Sequence, residues 1–203
     1  MTKYDCVVLA AGESRRMGHP KMLLDLHGAP LVVWAVRTAL INCPSVIVVQ
    51  GPIDLEPILG AYVEMERVRV ITNTRFRDGQ LGSLKAGLAA RPGAATAVFV
   101  TLGDLPRIAV STYRRLAAEA DADVDGGSLI PVTADGTPGH PVLLSAAAVT
   151  AVCTLPGTAM TPQTRAHQII RSLPHRFVPV ADRHISVDID TPSDIERLKS
   201  SSG

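Results

Sequence analysis

Four short runs rich in apolar residues constrain this chain most: Cys6–Leu9, Val46–Val49, Val68–Ile71 and Ala97–Leu102. Their length and lack of strict alternation fit strands buried on both faces, although periodicity alone does not separate such a run from buried helix. The stretches between them settle the matter. The turn His27-Gly28-Ala29-Pro30 leads into a helical pattern over Leu31–Ile41, with Pro30 suited to open it. Asp54 caps a short helix reaching about Val63, and a further helix spans roughly Leu84–Ala90. Strands alternating with helices predict βαβ units: an α/β fold with a mostly parallel sheet, helices on both faces and right-handed crossovers. Beyond these, Ala109–Ala120 reads as helix, Ser128–Val132 as strand, Thr164–Ser172 as a short helix and Phe177–Val180 as strand. The 203 residues suffice for one core, so one domain over 1–203 is expected. In such sheets ligands lie at the carboxyl ends of the strands.

Charge narrows the partners. The formal net charge is +1 and aromatic residues make up 3% of the chain. No global field attracts nucleic acid or an anionic membrane, and little is available for base stacking, so neither partner is expected and anion binding must be local. Cys6, Cys43 and Cys153 form no close pair and no metal-ligand spacing, which points to a reducing compartment. No secretory segment is expected at the N-terminus, because the first apolar run meets Glu13 and Arg15 within a few residues. The apolar stretch Ala86–Leu102 is cut by Arg91-Pro92-Gly93, so it is not read as membrane-spanning. A cytoplasmic location is expected. The acidic turn Asp121–Gly127 lacks the later glutamate of a calcium loop and reads as solvated.

The chemistry concentrates at strand ends. After the first run comes Leu9-Ala10-Ala11-Gly12-Glu13-Ser14-Arg15-Arg16-Met17-Gly18-His19-Pro20-Lys21. Small residues let backbone N–H groups approach a ligand, and Arg15, Arg16 and Lys21 add positive charge opposed only by Glu13. This is either a cradle for a triphosphate or a solvated basic loop. Gly79, Gly82 and Ser83 precede the Leu84 helix and either offer N–H groups to a base or ribose or supply an N-cap. Asp104, in Gly103-Asp104-Leu105-Pro106, is either a ligand for Mg²⁺ or a helix cap ahead of Ile108. His140, in Gly139-His140-Pro141, is of a kind more often structural than catalytic. Near the end, Val187 and Ile189 alternate with Asp188 and Asp190; as a strand, this would point both carboxylates to one face. Thr191 and Pro192 then start a last helix, with Asp194 as a cap.

The first loop lacks the Gly-Lys-Ser/Thr of a P-loop and the Gly-x-Gly-x-x-Gly of a dinucleotide site. It resembles the L-A-A-G-x-S-x-R-M-G-x-x-K signature of the MobA-like nucleotidyltransferases, with every fixed position filled. The resemblance implies a Rossmann-like three-layer fold of the nucleotide-diphospho-sugar transferase type. It implies that Leu9, Ala10, Ala11, Gly12, Ser14, Arg15, Arg16 and Lys21 wrap a nucleoside triphosphate. Arg16 and Lys21 would touch its phosphates, Lys21 would also stabilise the transition state, and Asp104 would share the catalysis. Gly79 and Ser83, with Leu84 and Gly87, match the segment lining the base pocket, and Gly103 precedes the metal aspartate; Gly82 stands where many relatives carry a second serine. Asp104 and Asp190 would hold Mg²⁺, with Asp188 second in line to Asp190, and Gly139 and His140 would face a phosphorylated acceptor. Guanylyl members usually read L-A-G-G where this chain has Leu9-Ala10-Ala11-Gly12; the loop is more similar to the molybdenum cofactor cytidylyltransferases. That implies CTP as donor, molybdopterin carrying molybdenum as acceptor, and a molybdoenzyme or its chaperone as partner. Leu155–Arg165 departs from the family's Gly-Asp-x-Gly-Ala-Arg segment. This leaves a sugar phosphate or another small phosphate as acceptor, GTP as donor, or a non-catalytic nucleotide- or cofactor-carrying module, as the alternatives.

Overall fold

The computed structural model describes residues 2–12, 19–91, 97–122, 126–156 and 165–187, together with 189, 194 and 196. In chain order the elements begin with β1 (Asp5–Ala10) and a short ladder of β2 (Asp25–Leu26) with β3 (Ala29–Pro30). His27 and Gly28, both at positive φ (52° and 82°), close that ladder, the geometry a two-residue hairpin needs. Next come α1 (Leu31–Asn42), β4 (Val46–Gln50), α2 (Glu56–Gly60), β5 (Val68–Thr72), α3 (Gln80–Ala89) and β6 (Val98–Leu102). The second half holds α4 (Val110–Ala122), β7 (Ser128–Val132), β8 (Val142–Leu144), α5 (Ala146–Thr154), α6 (Ala166–Ser172) and β9 (His175–Pro179).

Seven strands form one sheet in the order β5-β4-β1-β6-β8-β7-β9. β1 pairs in parallel with β4 and β6, β4 with β5, and β7 with β9, whereas β8 runs antiparallel to both β6 and β7. The sheet is therefore mostly parallel, as predicted, with β8 alone reversed among the described strands. β8 and α5 were not visible in the sequence. Three residues make no periodic signal, and α5 depends on Ser145, whose hydroxyl accepts from the Ala148 N–H (3.1 Å).

Alternation along the strands builds the two cores. Cys6 and Val8 of β1, with Val46, Val48 and Phe99, face Val32 and Val36 of α1 and Tyr113 and Leu116 of α4. Val7 and Leu9, with Ile47, Val49, Val98 and Val100, face Leu84 and Leu88 of α3, Val149 and Val152 of α5 and Ile170 of α6. Each large side chain sealed this way, Phe99 and Leu84 among them, contributes roughly 1.5–3 kcal/mol of transfer free energy. This is why β1 has no polar face to display: it lies inside three layers.

Some boundaries move. The helix after Asp54 spans only Glu56–Gly60, although Asp54 does accept from the Glu56 N–H (3.2 Å). α3 starts at Gln80, four residues earlier than the apolar spacing suggested, because Gly79 at φ 108° turns the chain into it. The strand expected around Asp188 and Asp190 is not formed at its two described positions. Val187 is exposed and Ile189 is fully buried, so they do not share a face. Asp188, Asp190, Thr191 and Pro192 lie outside the described residues, and Asp194 and Glu196 are helical. Among the described residues no helix is long and apolar enough to cross a membrane.

Candidate active site

The carboxyl ends of β1 and β6 are held together closely. The Gly103 N–H donates to the Leu9 carbonyl (2.9 Å). A Cβ at Gly103 would lie 2.9 Å from Met22 Sδ and 3.1 Å from Ala10 Cβ, so the glycine lets the two strand exits approach this closely without moving either side chain. Asp104 is thereby carried to Lys21, which sits in a single 3-10 turn, Lys21–Leu23. Lys21 Nζ and Asp104 Oδ2 are 2.7 Å apart and both side chains are largely buried. The other oxygen, Asp104 Oδ1, is buried with no hydrogen-bond partner among the described residues. A buried carboxylate oxygen left unmatched is costly unless something else binds it.

Asp104 does not cap the following helix. Asp182 does that work from across the chain: it accepts from the Ala109 N–H (2.7 Å), the Thr112 hydroxyl (2.9 Å) and the His184 N–H (2.9 Å). The cap reading of Asp104 is corrected accordingly. Ser83 is not an N-cap either. It lies inside α3, buried, with its hydroxyl accepting from Asn73 Nδ2 (3.0 Å).

Beside Asp104 opens a cavity of about 200 Å³. Leu9, Ala11, Gly12, Ser83 and Asp104, all expected from the sequence, line it; so do Met22, Phe76, Gln80 and Leu102, which were not. Ala10 and Gly103, each flanked in the chain by lining residues, pack against one another, and Gly79 starts the helix whose N-terminal end, with its partial positive charge, borders the cavity. The exit of β1 is fixed by a residue the sequence did not flag: a Cβ on Gly51 would sit 2.5 Å from the Ala11 carbonyl oxygen. Ser14, Arg15 and Arg16 lie outside the described residues.

A second cavity, about 330 Å³, adjoins the first. Leu9, Gln80 and Leu102 line both and so form a common wall. The reversed β8 explains how Gly139 and His140 come to line it. Its amino end lies at the edge where its neighbours' carboxyl ends lie, so the segment leading into it stays on the site's rim. The Gly139 N–H donates to the Pro131 carbonyl (2.9 Å), and the His140 N–H to the Ile185 carbonyl (2.7 Å). A side chain on Gly139 would collide with the Ile185 backbone. His140 Nδ1 lies 3.2 Å from the Val100 carbonyl. Sequence reasoning did not find His167 and Arg171, both on α6, at this cavity. Partial burial, then Arg171 and Arg165, hold the His167 imidazole below its ordinary pKa.

The MobA-like NTP transferase domain matches residues 6–177 of the sequence. The chain belongs to this family. This MobA-like transferase is 29% identical over 200 residues to the molybdenum cofactor cytidylyltransferase of Escherichia coli (strain K12), covering 98% of the chain and 97% of that protein. It superposes on Rv0371c from Mycobacterium tuberculosis H37Rv with a TM-score of 0.77 and 26% identity, over 98% of this chain and 99% of the other. A complex of Rv0371C with manganese superposes at 0.74 with 24% identity, covering 98% and 100%. The matched span of the transferase takes in both cavities' strand walls and the Lys21–Asp104 pair. Among its described residues no three His, Cys, Asp or Glu side chains gather into a metal cage. A single carboxylate with one spare oxygen still suits a hard cation that completes its shell from phosphates and water.

Proposed function

We propose that this nucleotidyltransferase moves CMP from CTP to a phosphorylated acceptor, the molybdopterin form that carries molybdenum, in the cytoplasm. The observation carrying this reading is the unsatisfied Oδ1 of Asp104, next to Lys21, in a cavity that shares a wall with a second one. That arrangement suits two substrates meeting over one charged point. Asp104, with Asp190 as the proposed second carboxylate, would hold Mg²⁺. When bound there, the ion supplies charge neutralisation at the α-phosphate.

The chain's own residues do the rest. Gly12 and the start of α3 receive the nucleotide, and Lys21 with Arg16 offsets charge on the leaving pyrophosphate. The second cavity holds the acceptor, with His140, His167 and Arg171 as its polar groups near the phosphate. An acceptor phosphate oxygen attacks the α-phosphorus, the bond from that phosphorus to the bridging oxygen breaks, and pyrophosphate departs with both bonding electrons. Positioning supplies most of the rate, since no protein nucleophile is needed. CTP is favoured by Ala11, where guanylyl members usually carry glycine, and by the activity named for the Escherichia coli relative. A sugar phosphate or other small phosphate is the second reading, supported by the departing segment Leu155–Arg165. The product would pass to a molybdoenzyme or its chaperone.

The test is pyrophosphate release from each of the four NTPs with Mg²⁺ and each acceptor. The expected result is CTP-selective release with the molybdopterin acceptor alone. Equal rates with GTP would remove the cytidylyl assignment, and turnover only with sugar phosphates would replace the acceptor. CTP binding without transfer to any acceptor would favour a carrier module.

A further inference from the structure

We propose that Lys21 gates the metal site: it neutralises Asp104 until a triphosphate draws it away, so that metal and nucleotide bind as a coupled pair. The inference rests on reading Asp104 as a metal ligand and adds an order to that site. The pair is short, 2.7 Å, and its side chains are only 10% and 15% exposed. With so little water around them, the two charges are only weakly screened from each other. A divalent ion arriving alone at Oδ1 therefore meets a carboxylate whose charge is already matched. It also meets an ammonium held at the neighbouring oxygen, a like charge in a poorly solvated place.

A triphosphate changes both terms. Lysine is a point charge on a flexible four-carbon stem, and phosphate oxygens in the adjoining cavity compete for it. Once Lys21 turns to the phosphates, Oδ2 joins Oδ1 in offering charge to the ion. The coupling is reciprocal: the factor by which nucleotide tightens the metal is the factor by which metal tightens nucleotide.

The experiment titrates Mn²⁺ into the full chain, following free Mn²⁺ by electron paramagnetic resonance, with no nucleotide present. Lys21→Met is expected to bind Mn²⁺ at least tenfold more tightly than the wild type. Lys21→Gln should move the same way, so a failure of one variant to fold leaves the other. A gain of affinity is not what general structural damage produces. Adding a non-hydrolysable CTP analogue should tighten Mn²⁺ binding by the wild type, and by less in either Lys21 variant. Asp104→Asn should abolish the site in every background. If the Lys21 variants match the wild type while Asp104→Asn loses Mn²⁺, the gate is wrong and the ligand reading stands. If Asp104→Asn binds Mn²⁺ as the wild type does, both fall.

Discussion

Two buried aspartates at the same edge have opposite fates, and the contrast sorts structure from chemistry. Asp182 has its oxygens taken up by the Ala109 and His184 N–H groups and the Thr112 hydroxyl. Asp182→Ala is therefore expected to cost about 2–4 kcal/mol of stability in denaturant titrations, through a lost cap and orphaned donors, while kcat of the folded protein stays near wild type. Asp104 keeps an oxygen in reserve. Asp104→Asn is expected to lower kcat by about 10³-fold, the scale of losing one preorganised electrostatic group, with an unchanged far-UV circular dichroism spectrum. His167 supplies a pH signal. Its folded pKa is depressed by partial burial, Arg171 and Arg165, so the neutral ring is the form the fold favours. Its share of stability is present above the unfolded value of about 6.5 and is lost as pH falls through the folded value. Histidine NMR should show a midpoint below the ordinary range, rising when Arg171 is changed to Ala. Lys21 and Asp104 were legible because they stand inside recognisable short patterns. Gly51, Gln80 and Asp182 were not, because each matters only through a partner distant in the chain.

At the scale of elements, glycines decide how closely the strands and α3 approach. Gly87 in α3 faces Val7 and Val49, where a Cβ would come within 2.5 and 2.8 Å of their methyl groups. Gly87→Ala overpacks that layer and should cost about 1–3 kcal/mol in stability with little change in KM. Gly51→Ala pushes instead on the Ala11 backbone, which lines the cavity beside Asp104 where the nucleotide is proposed to bind. It is expected to raise KM for the NTP severalfold, measured by initial rates at saturating acceptor. The buried strands β1, β4 and β6 were legible from their apolar runs, because burial on both faces leaves a composition that few other elements share. The start of α3 was hidden, since Gly79 and Gly82 look like loop, and only the backbone shows the helix running through Gly82. β8 was hidden by its length, and with it the reversal in the sheet.

Across the whole molecule, both cavities draw on the same wall of Leu9, Gln80 and Leu102, residues from β1, α3 and β6. Filling either one ties these central elements together, so ligand binding should register as global stabilisation. At a hundred times its Kd, a nucleotide–metal pair contributes about 2.7 kcal/mol. For a chain of this size that raises Tm by about 5–10 °C, which differential scanning fluorimetry measures. No shift with CTP and a divalent ion would contradict the nucleotide site. The direction of β8 has one more consequence. Since β7 ends at the rim and β8 starts from it, residues 133–141 go out and come back on one side without crossing the sheet. The tip of this excursion, residues 133–137, can grow, shrink or be exchanged while every strand keeps its register and Gly139 and His140 stay held on Pro131 and Ile185, so a graft at that tip reshapes the approach to the second cavity without refolding the sheet.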